Sequence, residues 1–585
     1  MKDMNKNTFK KTIYTLCLSL LVAFAACSDD KGNYDYSEKN NIEITGIPQY
    51  KSLLAGAEYI DFKPTIVSSL EGTIDADNPN YEFSYQRKAN GRWITMGNEK
   101  DLYMLAALSS GTHDCYFSVT DKRTDVKTVQ LFRINATTIT SEGWMVLCNE
   151  GPEEKLRMDM LAHISTERIL PAYNVIEIDE TVPTLRQATN IGYYRTRNSN
   201  IGDDIILLSK TGAYIAPTAD FDNEDSKQHK YAYREFTKVS GAEELTSNKF
   251  LARTNDHIVE YVSIPVQPTN ENRGALGKKC ASICISEEGN AYAWFMLASG
   301  AGFEYPINTP ERGETPTYRV APHVGRSLQD CSTAPTFGIA LFYDIDNHRF
   351  IGWDTEGLIS ADNQGKTQKC YPLTDPESKK FSYETGNMDL VTMLSTANSG
   401  YIYCIMQDGA KRHVYVIQVT SSNKFTQVAA YTDIRATDFD KADCFTASSQ
   451  YPIIYYAYKN NIYSYNLTTN AVETVETLSP QEEVTMLKFN IYEDVFGGGG
   501  YIGNSFLSKF DEELRTIYLN REKQLIVASY NTAEDTNGGV LRFYDIANGG
   551  MGMNIIKDLD DNDKERIWEF KGYARIKDVT YKEKQ

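Results

Sequence analysis

Short runs in which apolar and polar residues alternate fill the chain from about residue 40 to about residue 135. Ile42-Glu43-Ile44, Tyr81-Glu82-Phe83-Ser84-Tyr85, Arg92-Trp93-Ile94 and Cys115-Tyr116-Phe117-Ser118-Val119 are set apart by turn residues. Period-two alternation places one strand face in a core and the other in water. About six such strands in this length predict a small antiparallel sandwich over residues 40–138.

A different rhythm begins at Gly143. An apolar strand, a tight polar turn and an aromatic-rich strand recur, first at Gly143-Trp144-Met145-Val146-Leu147-Cys148, next at Ile205 to Ile215, then from Ser282, Gly338, Gly400, Pro452 and Gln524. The turns Glu288-Gly289-Asn290, Asp346-Asn347, Gln407-Asp408-Gly409, Asn460-Asn461 and Asn537-Gly538-Gly539 are of residue types that accept the positive φ of hairpins. Most hairpins are flanked by a small-residue apolar strand before, as at Asp389-Leu390-Val391-Thr392-Met393, and a polar strand after, as at Phe425 to Ala430. Four-stranded sheets recurring every 50 to 75 residues or so predict an all-β second domain over residues 139–585, a seven-bladed β-propeller. The spare strand Ala574 to Val579 would join the sheet begun at Gly143 and leave no edge bare. The spacing is uneven, so six or eight blades, or two packed sandwiches, stay open as alternatives.

The chain opens on a third pattern. Lys2, Lys6, Lys10 and Lys11 precede the apolar stretch Thr12 to Ala23, then Phe24-Ala25-Ala26 and Cys27. The stretch is short for a spanning helix and reads as a secretory signal over residues 1–26. The small residues before Cys27 suit a lipoprotein signal peptidase, with Cys27 as the lipidated first residue of the mature chain. Residues 27–39 then form an acidic, polar tether. The membrane is engaged through this anchor alone.

Ser28-Asp29-Asp30 resembles the acidic signal that sends lipoproteins of Bacteroidota to the cell surface, and Gly32-Asn33-Tyr34-Asp35-Tyr36 resembles the tail that opens many of them. The stretch Gly111 to Asp121 resembles the late strand pair of PKD-type immunoglobulin-like domains, although the Trp-Asp-Phe-Gly-Asp-Gly signature of that family is missing. In this order, with Gly143-Trp144-Met145-Val146-Leu147 opening the large domain, the features resemble the PKD-like family of outer-membrane lipoproteins. The resemblance implies an accessory lipoprotein of a starch-utilisation-type, TonB-dependent transporter, presenting oligopeptide first and glycan second.

Composition narrows the partners. Removing residues 1–26, with four lysines and one aspartate, takes the formal charge from −19 to −22, which repels phosphate backbones and excludes nucleic acid as a partner. Tyrosine, at 39 residues against 5 tryptophans, suits many half-wet strands. Cys115, Cys148, Cys280, Cys284, Cys331, Cys370, Cys404 and Cys444 form no CxxC pair. Buried thiols are the first reading, with Cys331–Cys370 the disulfide to test.

No GxSxG or HExxH motif occurs, so no enzyme is expected. Gly498, Gly500 and Gly503 match GxGxxG without the strand-and-helix context of a nucleotide site. A loop with Phe496 and Tyr501 free to stack on a ligand is the better reading. Asp558, Asp560, Asn562 and Glu569 reproduce the donor spacing of a calcium loop, but Asp563 stands where the turn demands glycine. A solvated charge run competes with calcium there, as it does at Asp220, Asp222, Glu224 and Asp225. Tyr193, Tyr194, Arg195 and Arg197 combine stacking rings with guanidinium forks for a carboxylate. Phe303, Tyr305, Tyr318 and Arg319 fall in the largest insertion. The rival readings are a surface hydrolase with its site in the propeller channel, and a purely structural partner of the transporter.

Overall fold

The computed structural model describes residues 39–490 and 520–582, apart from 110, 166–167, 176, 179–183, 195–203, 218–237, 240–242, 245–255, 265–280, 296–305, 309–317, 329–336, 357–368 and 561–562. Regular structure here is almost wholly strand. No helix among the described residues is long and apolar enough to cross a membrane. The chain forms two compact units. The chain up to Tyr50, Ile60–Met104 and His113–Arg133 make the smaller, and Lys51–Tyr59, Leu105–Thr112 and Ile134–Gln585 the larger.

In the smaller unit, strands Val126–Thr137, Gly111–Asp121, Tyr81–Ala89 and Arg92–Gly97 lie side by side in that order. A second sheet orders Ile42–Thr45, Thr65–Ser68 and Gly72–Thr73. Alternation decides the faces: Tyr81, Phe83 and Tyr85 are buried while Glu82 between them is exposed. Phe62, Ile66, Tyr85, Phe117 and Phe132 fill the core, with the Tyr85 and Phe117 rings 4.3 Å apart.

The larger unit is a β-propeller, with seven successive meander sheets among the described residues. The first sheet contains Gly143–Glu150, Lys155–His163 and Ile169–Ala172. The second to fourth begin at Ala188–Tyr194, Ile258–Ile264 and Ile339–Asp344, and the last three at Asp389–Ser395, Cys444–Ala447 and Glu482–Phe489. The fourth gains an inner edge where Val320 and Gly325 bridge to Asp344 and Leu341. The C-terminal strand Arg575–Lys582 pairs antiparallel with Gly143–Glu150, so the first sheet is assembled from both ends of the unit.

Apolar clusters lie between neighbouring sheets. Met145, Met158, Ile191 and Leu207 join the first to the second. Phe342 and Trp353 meet Ile283 and Ile285 between third and fourth. Trp144 and Val146 meet Ile526, Leu541 and Phe543, which packs the seventh sheet on the first. The ring therefore closes by packing as well as by strand pairing.

Turn chemistry differs in detail from the sequence pattern. Gly289 (φ 82) and Gly409 (φ 58) take the left-handed positions of their hairpins. In two of the other three the positive φ falls beside the asparagine, on His348 (φ 47) and Lys459 (φ 57), and Asn537-Gly538-Gly539 has none. Pairing of Tyr458 with Asn461 makes Lys459-Asn460 the two-residue loop, so Lys459 occupies its first position and Asn461 is already strand.

Candidate functional site

Inner strands of a propeller bring residues remote in sequence to one axis. A cavity of about 280 Å³ is lined by Asn190 and Tyr193 of the second sheet, Glu260 of the third, Arg326 of the fourth, Ser395 of the fifth, Lys488 of the seventh and Asp578 of the closing strand. A second cavity of about 610 Å³ shares Asn190, Glu260 and His323 with the first and adds Lys210, Glu287, Arg319 and Thr392. The two adjoin at those shared residues, and the paired cavities form the candidate channel.

Each charged group in the channel has a definite environment. Lys488 Nζ donates to Asp578 Oδ1 and to the Val579 carbonyl, both at 2.7 Å. The backbone N–H of Ile191 donates to Asp578 Oδ2 at 3.0 Å. Asp578 thus ties three sheets together. Arg326 donates to the Ser263 carbonyl and, at 3.2 Å, to Ser263 Oγ. Glu260 is only partly exposed, and its carboxylate accepts a 2.9 Å bond from the Tyr261 backbone N–H. Burial pushes its pKa up to about 7, against the opposing pull of the Tyr261 N–H and the charges of Arg326 and Lys488. Its small exposed area faces the cavity rather than bulk water, which reconciles partial accessibility with strong desolvation. His323 is pushed down to about 4 by burial, although its bond to the Val391 backbone opposes the shift.

At the cavity wall, Tyr581 donates to Glu142 Oε1 at 2.6 Å and accepts from Arg521 Nη1 at 2.6 Å. Nδ1 of His163 lies 3.1 Å from the same hydroxyl. Burial, with Arg521 and Arg566 nearby, holds His163 well below the usual histidine range.

Of the residues singled out by sequence, Tyr193 lines the first cavity and Arg319 the second. Arg319 is engaged with Asp346 at 2.7 Å. Tyr318 is half-buried beneath the guanidinium of Arg349, 5.2 Å from its ring centre. Tyr194 ends the strand Ala188–Tyr194. Cys27, Arg195, Arg197, Phe303, Tyr305, Phe496, Tyr501 and Asn562 lie outside the described residues, as do Asp220, Asp222, Glu224, Asp225 and the GxGxxG glycines. Asp558 is held by Arg566 Nε at 2.8 Å and Glu569 by Arg542 Nε at 2.8 Å. Asp560 Oδ1 accepts from the Lys564 N–H in a hairpin turn. Among the described residues no three His, Cys, Asp or Glu side chains are grouped to hold a metal. Cys331 also lies outside them, while Cys370 is a buried free thiol.

Sequence reading missed Glu260, Arg326, Lys488 and Asp578. The signal was a lone charge inside an apolar first strand, as in Ile258-Val259-Glu260-Tyr261-Val262 and Met486-Leu487-Lys488-Phe489.

Residues 27–177 match the PKD-like family. The match runs past the sandwich into the first propeller sheet. A search of curated proteins finds no similar sequence. Among solved structures, a quinoprotein alcohol dehydrogenase-like protein from Bacteroides thetaiotaomicron is similar at 10% identity, over 93% of this chain and 99% of that one, with a TM-score of 0.38. A DUF4784 family protein from Bacteroides caccae is similar at 8% identity over 93% and 99% of the two chains, with a TM-score of 0.23. The propeller assignment rests on the sheets themselves.

Proposed function

We propose that this protein is a lipid-anchored cell-surface protein that captures small nutrients in its propeller channel, as an accessory subunit of a TonB-dependent outer-membrane transporter. The lipobox at Cys27 and the PKD-like match support the surface placement. The observation that carries the binding reading is the axial cavity, where groups of both charges and the amides of Asn190 and Asn490 line one space. A peptide, with two charged termini and amide donors and acceptors, suits that lining better than a neutral sugar, which makes oligopeptide the first cargo and glycan the second. Thermal melts against peptide and oligosaccharide libraries test it: a ligand at a hundred times its Kd stabilises by about 2.7 kcal/mol. Co-purification with a transporter and no stabilisation by any library member would instead favour a structural partner.

One observation favours a second reading. Glu260 and Asp578 line the same cavity, and paired carboxylates are the equipment of a hydrolase. Asp578, however, is occupied by Lys488 and the Ile191 N–H, which leaves Glu260 without an equally available carboxylate partner. Incubation of peptides and glycans with the protein, followed by mass spectrometry, separates the readings. Products that disappear with Glu260→Gln would establish hydrolysis.

A further inference from the structure

We infer that Glu260 is the anchor for one organic ammonium group of the channel's ligand, an inference that rests on the channel being the binding site. The argument is geometric. Glu260 lines both cavities and stands where they meet, so a ligand threading the channel passes it. Among the described residues its carboxylate takes the Tyr261 N–H and has no ion-pair partner. The nearby cations are engaged elsewhere: Lys488 with Asp578 and the Val579 carbonyl, Arg326 with Ser263. Asn190, also shared by both cavities, offers an amide oxygen for a second N–H. A desolvated carboxylate without a counter-ion is costly, and an arriving cation relieves that cost. One carboxylate is too few for a metal, whereas a single ammonium needs one anion and one or two neutral acceptors.

Proton linkage follows. Near pH 7 about half of the Glu260 population carries a proton in the empty channel, and ammonium binding draws the ionised form. The other groups facing it are Arg326, Lys488, Asp578 and His323, with Lys210, Glu287 and Arg319 further along the second cavity. His323, at about 4, stays neutral throughout this range. Binding therefore releases protons near pH 7.

The peptide Ala-Ala-Ala, a glucosamine trisaccharide and their N-acetylated counterparts serve as calorimetric probes on the full chain. The shared chemistry is the amine, and the two arms distinguish peptide from amino sugar. At least one free amine is expected to bind about tenfold or more tightly than its acetylated form, with heat that varies with buffer ionisation. Glu260→Gln should abolish both the preference and the proton release. Equal binding of free and acetylated forms, or a preference that survives in Glu260→Gln, overturns the inference. Binding of acetylated probes alone would sink the ammonium anchor and leave the channel reading standing. Binding by no probe overturns the anchor too, and probe binding unchanged by Ser395→Trp, which fills the cavity, overturns the channel reading itself.

Discussion

At the scale of single residues, burial sets the chemistry. Glu260 is raised from its ordinary 4.5 to about 7, so the folded state holds the proton more firmly than the unfolded chain. Its contribution to stability is complete below about pH 4.5 and is lost as pH rises through about 7. Glu260→Gln is expected to be nearly neutral at pH 4 and to stabilise by about 3 kcal/mol at pH 8, read from urea denaturation at both values. Burial likewise pushes the thiols of Cys148, Cys284, Cys370 and Cys404 far up. These four should resist iodoacetamide at pH 8 in the native protein and react once it is unfolded, with peptide mass mapping as the measurement. Glu260, Lys488 and Asp578 were hard to recognise in the sequence because each stands on a different strand. Aromatic and arginine pairs such as Tyr193-Tyr194-Arg195 drew attention because they are contiguous, and contiguity is not what the fold uses to build its channel. Tyr193 reaches the cavity together with Asn190, Ile191 and Gly192 of the same strand.

At the scale of elements, hairpins were legible because period-two alternation and turn residues are local signals. The position of the positive φ was not, since strand register decides it, as Lys459 shows. Long-range polar staples were equally hidden. Arg157 meets the fully buried Asp159 with two bonds of 2.7 and 2.8 Å and reaches across to Asn537 at 3.0 Å. The Asn174 N–H also donates to Asp159. Asp159→Ala should cost about 3 kcal/mol because it removes the two-bond carboxylate partner of a buried guanidinium that keeps only Glu150 Oε1, at 2.7 Å, as counter-ion, and Arg157→Met combined with Asp159→Ala should cost less than the separate losses added together. A denaturant double-mutant cycle measures both. Additive losses would mean that the pair is not a unit.

At the scale of the whole molecule, the order sandwich then repeating sheets could be read from the change of rhythm near Gly143. The division of contacts could not: Lys51–Tyr59 and Leu105–Thr112 belong with the larger unit, and nothing in their alternation distinguishes them from the sandwich strands. The proposed membrane attachment is tested at this scale too. Cys27→Ala should move the protein from the membrane to the soluble fraction of fractionated cells, and persistence in the membrane would remove the anchor from the account.

The antiparallel pairing of Arg575–Lys582 with Gly143–Glu150 also has a temporal side. Synthesis proceeds from the amino end, so the strand that seals the circle is made after all seven of the sheets it closes. Until then the first sheet presents a naked flank to other chains. A lesion that removes this one strand would leave the other sheets unable to finish their own architecture.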